Sequence, residues 1–457
     1  MGSFDRWPRA HHAFSTWRAS PCVVTSAQFE PARAADVLAG GATPKVEVRG
    51  WAARKHTVGG LIFVLVRDGS GYIQVSVKKG PKAPAAFEAA RGVTMESAVT
   101  VRGEVRDDRR APGGKEVAAE EFVVVAKSES WPITKTAVRS ASYLFEKRHL
   151  SIRGPKAIAA MKIRAEVIGA AFDYFRENRF QLISAPTFVQ AAVEGGSTLF
   201  SVDYFGKKVN LSQSAQFYEE AALPALEKVW IFQPAFRAEK SKTPKHLTEF
   251  WMIESEQAFA DQTDNMLVQE ELLSKMVARV IENRGPELRT LGRNLKQPPS
   301  RFPRMSYDEA LEIAGKKGFP FEWGEDIPTE AERAISLTQE SPFFITDYPL
   351  SARSFYHMTY PDRPKVSKSA DLIAPEGIGE LATGGQRIHD YSELMARIEG
   401  QDLPSESFSW YLELRKFGMP PHSGFGIGVE RTTRWIAGLK HIRSASLFPR
   451  TLSRISP

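Results

Sequence analysis

The chain carries one cysteine, Cys22, in 457 residues. A lone thiol excludes an internal disulfide framework and any multi-cysteine zinc site, and it fits a reducing compartment such as the cytoplasm. No apolar run approaches the roughly 20 residues that span a bilayer, so no membrane partner is expected. Residues 1–20 contain Trp7, Pro8, His11, His12 and Trp17 but no apolar h-region, which argues against a secretory signal. They are rich in arginine and nearly free of acid, so an organellar targeting segment stays open. Pro8 and the scattered polar residues favour an unstructured extension over residues 1–40. There is no internal repeat and no low-complexity tract. An excess of one charge is also missing: 61 basic residues face 54 acidic ones, a net charge of +7. That balance is compatible with a polyanionic partner without identifying one.

The length suggests two or three domains. Over residues 41–128, "KVEVRGWAAR", "GLIFVLVRDGSGYIQVSVKKG", "SAVTVRGEV" and "EEFVVVAKS" alternate apolar and polar positions between Gly-rich or charged turns. Five short strands of this kind suit a small closed barrel of the OB type, a common reader of single-stranded nucleic acid, or another small antiparallel barrel. "SESWPITKTAVRSAS" breaks the pattern and reads as part of a linker over 129–153. From residue 154 the apolar spacing of "KAIAAMKIRAEVIGAAFDYFRENRF" is helical, and short strands then alternate with helices to residue 457. The Pro- and Arg-rich stretch that begins near residue 284 reads as a peripheral insertion extending to about 335.

Charge is concentrated in "FRAEKSKTPKHLTEFWMIESE", residues 236–256, where a basic half precedes an acidic one. A solvated hairpin would suffice to explain it in isolation. Two further segments stand beside it: "FQLISAPTFVQAAVEGG", which carries Pro186, and "GFGIGVERTTRWI", a Gly-rich strand ending in Arg431 at the start of a helix. In this order, behind an OB-like barrel, the three segments resemble the signature motifs of class II aminoacyl-tRNA synthetases. "EGGSTLFSVDYFGKK", "GELATGGQRIHD" and "HIRSASLFPRTLSRISP" are similar to the aspartyl/asparaginyl subgroup, and "HLTEFWMIESE" and "EKRHLSIR" to its archaeal-type asparaginyl branch.

The resemblance implies an α+β chain: an OB-type anticodon-binding barrel, then a class II catalytic domain with an antiparallel sheet flanked by helices. It implies a homodimer, with Pro186 at the interface. The implied reaction joins asparagine to the α-phosphate of ATP, with Mg2+ required, and passes the acyl group to tRNA(Asn). By resemblance, Arg237 holds the α-phosphate, a task suited to a planar, permanently charged fork. Glu239 accepts from the adenine amino group, Phe250 stacks on the ring, His246 assists the phosphate tail, and Arg431 covers the other adenine face and reaches the γ-phosphate. Asp371 and Glu380 match the metal-binding pair, two residues further apart than in the aspartyl enzymes; two surface acids on a hairpin are the other reading. Where family members carry arginines before the histidine, this chain has "TPK", so Lys245 keeps the charge without the fork.

For the amino acid, the resemblance assigns Glu194, Ser214, Gln216, Glu219, Glu254 and Arg387. Ser214 reads as a helix N-cap, and Gln216 and Glu219 share a face at i and i+3. In aspartyl enzymes a lysine corresponds to Glu219, so an acid here favours an amide side chain over a carboxylate. A first-turn acid favoured by the helix dipole is the alternative, as is Glu220 if the helix phase differs by one. In the barrel the resemblance gives Phe63 and Gln74 to anticodon bases and Arg54 to the backbone, although "LIFVLV" would also accommodate Phe63 as core. An aspartyl-tRNA ligase, a tRNA-independent amide ligase and a non-catalytic RNA-binding protein are the competing readings; Glu219, the barrel and the intact triphosphate residues count against them in turn.

Overall fold

Alternation of buried valines and isoleucines with exposed polar residues builds the first unit. The computed structural model describes residues 29–457 except 82, 135, 191–197 and 241–242, so Glu194 and most of the expected N-terminal extension lie outside the described residues. The chain divides into two units near residue 140. The first contains β1 (Glu30–Pro31), α1 (Ala34–Ala39), β2 (Lys45–Val58), β3 (Leu61–Arg67), β4 (Tyr72–Lys78), α2 (Pro84–Gly92), β5 (Ala98–Asp107) and β6 (Lys115–Ala126). Strand order β2-β3-β4-β6-β5 returns from β5 to β2, closing a five-stranded barrel. Val46, Val48, Ile62, Val64, Ile73, Val75 and Val101 fill it. Residues 29–40 depart from the expected extension: β1 pairs with β2, and Ala34 and Val37 are fully buried in the barrel core. Two apolar residues on one helix face were enough to dock that segment.

The second unit opens with α3 (Ala141–Glu146), α4 (Arg148–Ser151), α5 (Pro155–Glu177), β7 (Gln181–Leu182), β8 (Phe188–Val189), β9 (Ser201–Tyr204), β10 (Lys207–Leu211) and α6 (Gln216–Leu226). It continues with β11 (Lys228–Phe236), β12 (Glu249–Ala258), α7 (Gln262–Asn283), α8 (Gly285–Leu291), β13 (Arg304–Ser306), α9 (Tyr307–Lys316), α10 (Thr329–Ser336) and β14 (Phe343–Thr346). Then come β15 (Thr359–Tyr360), β16 (Arg363–Ser367), β17 (Ser369–Ala374), β18 (Gly379–Gln386), α11 (Tyr391–Gly400), α12 (Ser409–Glu413), β19 (His422–Gly428) and α13 (Val429–Ile436). Helix already begins at Ala141, inside the stretch expected as linker. Among the described residues, no helix is long and apolar enough to cross a membrane.

An eight-stranded sheet, ordered β13-β14-β17-β18-β19-β12-β11-β7, is antiparallel except at its edges, where β13–β14 and β11–β7 run parallel. The body of the sheet is antiparallel as expected, with a parallel strand added at each edge. Helix α5 starts with Pro155 at its first turn, where the missing N–H costs nothing, and buries Ile163, Val167, Ala170, Ala171 and Tyr174 against α7 and the sheet. Helix α7 is capped by Asp261, which accepts the N–H groups of Thr263 and Asp264 while Asp264 accepts the N–H of Asp261. The stretch 284–335 is not peripheral. Leu288, Leu295 and Phe302 join the main core, β13 extends the sheet, and α10 carries Glu332 to the rim of the site described below.

Candidate active site

Strand β12 has a period of two, so Phe250, Met252, Glu254 and Glu256 emerge on one face, while Ile253 enters the core behind. Antiparallel register sets a β19 glycine opposite three of these four: Gly428 faces Met252, Gly426 faces Glu254 and Gly424 faces Glu256. The glycines leave room that any side chain would take. A Cβ on Gly424 would lie 2.1 Å from Glu256 Cδ, and one on Gly426 would lie 2.6 Å from Met252 Cε. The result is a cavity of about 300 Å³. Its wall includes Ser214, Gln216, Glu219, Arg237, Glu239, His246, Phe250, Glu254, Glu380, Arg387 and Arg431.

The cavity has two chemically opposite ends. At one, the loop joining β11 to β12 brings Arg237 over the Phe250 ring, 5.5 Å from its centroid. Glu239 lies 3.5 Å from His246 Nε2, and His246 Nδ1 is 2.5 Å from the Thr243 hydroxyl. Burial, then Arg431, lowers the His246 pKa, so the imidazole is neutral at pH 7. Arg431 donates to Glu380 at 2.6 Å. Burial alone would raise the Glu380 carboxyl, but Arg431, Lys245 and Arg237 together pull it down to about 2.

At the other end the residues are mostly acidic. Ser214 donates to Glu254, whose second oxygen accepts the Ala215 N–H at 2.9 Å. The N-cap position is Ala215 rather than Ser214, although the Ser214 oxygen still accepts the Gln216 N–H at 3.2 Å. Glu219 is 1% exposed, and its Oε1 is buried without a hydrogen-bond partner among the described residues. Burial, then Glu254 and Glu256, raise its pKa well above the ordinary value. Its neighbour Glu220 is different. It accepts from Tyr411 at 2.8 Å and Arg415 at 2.5 Å, is bridged to His422 at 3.0 Å, and anchors the Gln216 amide at 2.9 Å. The helix phase thus turns Glu219 to the cavity and Glu220 to the interior. Arg387 is committed on one side: its Nε and Nη2 both donate to Glu256, at 2.9 and 2.6 Å.

Glu256 and His357, both on the cavity wall, were given no role from sequence. The alternation Phe250, Met252, Glu254, Glu256 was the available signal for the first. Nothing local marks His357, which reaches Arg387 Nη1 at 3.4 Å from 30 residues away.

The expected metal pair lies at the cationic end, each acid engaged by an arginine. Asp371 and Glu380 stand on adjacent strands, but each is held by its own arginine, Asp371 by Arg353 at 2.6 Å and Glu380 by Arg431. Burial drives the Asp371 carboxyl up to about 6 despite Arg353. Among the described residues, no group of three or more potential ligands could hold an ion unaided. Glu380, strongly ionised and on the cavity wall, and the buried Asp371 Oδ1, without a hydrogen-bond partner among the described residues, fit a Mg2+ that takes its other ligands from phosphate and water.

In the first unit, Arg54, Leu65 and Gln74 align across β2, β3 and β4, and Phe63 lies two residues from Leu65 on the same outer face. These residues line one surface hollow. Phe63 is half-buried between the fully buried Ile62 and Val64, so it is not core. Gln74 donates to Glu116 at 2.9 Å.

Residues 140–452 match the model of the class II tRNA synthetases (D, K and N), and residues 46–125 match the OB-fold nucleic acid binding domain. An asparagine–tRNA ligase of Desulforamulus reducens is 46% identical over 90% of this chain and 96% of its own. That of Thermococcus kodakarensis is 44% identical over the same shares. The asparaginyl-tRNA synthetase of Pyrococcus horikoshii, solved with asparaginyl-adenylate, superposes with a TM-score of 0.89 at 42% identity, covering 94% of this chain and all of that one. The cationic and acidic ends of one cavity, the glycine strand beneath it and these matches lead to one conclusion: the chain belongs to the class II tRNA synthetases of the D, K and N group and is an aminoacyl-tRNA ligase.

Proposed function

We propose that the amino acid is asparagine and the acceptor tRNA(Asn). The observation that carries the choice is Glu219: a buried carboxyl on the cavity wall with one oxygen unsatisfied among the described residues. An asparagine amide offers that oxygen an N–H donor, whereas aspartate offers only another acceptor and a like charge. Glu254, beside it, takes the substrate ammonium with Ser214 and Gln216. Arg387, fixed by Glu256, turns its remaining nitrogen to the amide oxygen. The asparagine relatives, 44–46% identical, support the same assignment.

In the first step a carboxylate oxygen of asparagine forms a bond to the α-phosphorus of ATP, and the bond to pyrophosphate breaks. Arg237 neutralises charge at that phosphorus, Phe250 and Arg431 sandwich adenine, Glu239 reads its amino group, and His246 assists the phosphate tail. A Mg2+ held by Glu380 and Asp371 would screen the phosphates. In the second step a terminal ribose hydroxyl of tRNA attacks the acyl carbon and AMP leaves. Such chemistry asks for positioning and charge neutralisation rather than covalent catalysis. The barrel hollow of Arg54, Phe63 and Gln74 reads the anticodon. The exposed strip of Leu182, Pro186 and Phe188 supports a homodimer, and the reducing setting implied by one cysteine supports a cytoplasmic location.

ATP–pyrophosphate exchange with asparagine and aspartate side by side tests the assignment. Exchange with asparagine is expected to dominate, and to fall by orders of magnitude in Arg431→Ala and Arg237→Ala. Exchange that prefers aspartate, or that survives in a folded Arg431→Ala protein, overturns it.

A further inference from the structure

Lys245 sits on the cavity wall, but its side chain is directed by a residue that is not part of that wall. Its Nζ is 3.0 Å from Oε2 of Glu332 on α10, and both side chains are largely buried, at 12% and 9% exposure. Glu332 is itself fixed. Its Oε1 accepts the backbone N–H of Glu380 at 3.0 Å, in a space that exists only because residue 379 is glycine. Gly379 has φ +91°, and a Cβ there would lie 1.7 Å from Oε1. The two charges come from elements remote in sequence, a loop at 237–248 and a helix near 330. The same Glu332 therefore ties that loop to the β18 residue that holds Arg431.

We propose that Glu332 is a positioning residue that holds Lys245 as a third cation, beside Arg237 and Arg431, for the β- and γ-phosphates of ATP. The inference rests on the ATP reading of the cavity. Among the described residues Arg237, Lys245, Arg353, Arg387 and Arg431 line the cavity; Glu380 pairs with Arg431 and Glu332 with Lys245. A lysine free to swing would lose side-chain entropy on binding; one held by a buried carboxylate has already lost it. The ion pair also explains how a lysine serves on this loop without the bidentate fork of an arginine: the anchoring carboxylate gives it a fixed direction.

The test is binding of Mg-ATP and of AMP to the full chain by calorimetry, with thermal melting of each variant alongside. Lys245→Met is expected to weaken ATP binding about tenfold, the scale of one charge-assisted hydrogen bond, and to leave AMP within about twofold. Glu332→Gln keeps the bond to the Glu380 N–H but removes the charge, and should weaken ATP by roughly threefold to tenfold. The double variant should bind ATP no more weakly than Lys245→Met alone, because Glu332 acts only through Lys245. Lys245→Arg keeps the charge and should recover most of the ATP affinity lost in Lys245→Met, the melting temperature of each variant serving as the control for folding. In pyrophosphate exchange the KM for ATP should move while the KM for the amino acid and kcat stay. Equal losses for ATP and AMP, additive losses in the double variant, or unchanged ATP affinity in either single variant overturns the proposal. If wild type binds neither nucleotide, the ATP reading of the cavity fails with it, an outcome distinct from failure of the Lys245 variants alone.

Discussion

Glu219 and Glu220 are neighbours in sequence with equal burial and opposite chemistry. Glu220 is surrounded by donors, from Tyr411, Arg415, His422 and Gln216, and its carboxyl is held far below the ordinary range despite burial. Removing its charge with Glu220→Gln strips a buried cluster of its counter-ion, a change that typically costs about 3–5 kcal/mol. A large fall in Tm is therefore expected, with activity lost through the fold. Glu219 has the opposite environment: burial and two acidic neighbours raise its pKa. Glu219→Gln should leave Tm unchanged or higher, weaken asparagine use and relax the rejection of aspartate. Polar mismatch of this kind can reject by roughly 10⁴–10⁵, against about 10² for shape alone. The raised pKa gives a pH signature. Below it Glu219 is neutral and can donate to a carboxylate; above it the ionised group repels one. The asparagine-to-aspartate ratio of exchange efficiencies should accordingly rise with pH in the wild type and stay flat in Glu219→Gln. A ratio independent of pH in both proteins would reduce Glu219 to a helix-start acid.

Elements, more than single residues, were what the sequence made legible. Alternation is a local property, so the barrel strands could be read directly, and the glycine strand β19 was recognisable from its own composition. What glycine is for became visible only in register, where Gly424 and Gly426 lie opposite Glu256 and Glu254. The two positions should respond differently to one methyl group. At Gly424 the new Cβ would meet the Ser255 backbone oxygen at 2.3 Å as well as Glu256, and a backbone cannot give way. Gly424→Ala should destabilise by about 1–3 kcal/mol or more, measurable as a lower Tm. At Gly426 the nearest atom is the flexible Met252 Cε, so Gly426→Ala should fold and lose exchange activity because Met252 is pushed into the cavity. Illegible features share a physical cause: they depend on partners far along the chain. The insertion near 284–335 looked peripheral because its Pro and Arg content says nothing of Leu288, Leu295 and Phe302 reaching the core. Docking of α1 rests on two short apolar residues. Glu332 and His357 reach the site from distant elements, and no spacing rule connects them to it.

At the scale of the whole chain, the two units divide the work. The residues proposed for adenylate formation belong to the second unit, and those proposed for anticodon reading to the outer face of β2, β3 and β4 in the first. Phe63 is the sharpest probe of that division. It alternates with Ile62 and Val64, which fill the barrel, so its own ring is on the opposite face and contributes little to the core. An aromatic platform of this kind is worth about 1–3 kcal/mol per stacked base, or roughly tenfold to a hundredfold in the efficiency of charging. Phe63→Ala should therefore lower kcat/KM for tRNA carrying the GUU anticodon by that factor and leave asparagine-dependent pyrophosphate exchange unchanged. The loss should shrink for a tRNA whose anticodon is already wrong, because the missing ring then has no correct base to stack. Backbone contacts behave otherwise: Arg54→Ala should weaken all tRNAs alike and reduce the salt dependence of binding. Parallel losses of charging and exchange in Phe63→Ala, with a lowered Tm, would mean that the ring supports the barrel rather than a base.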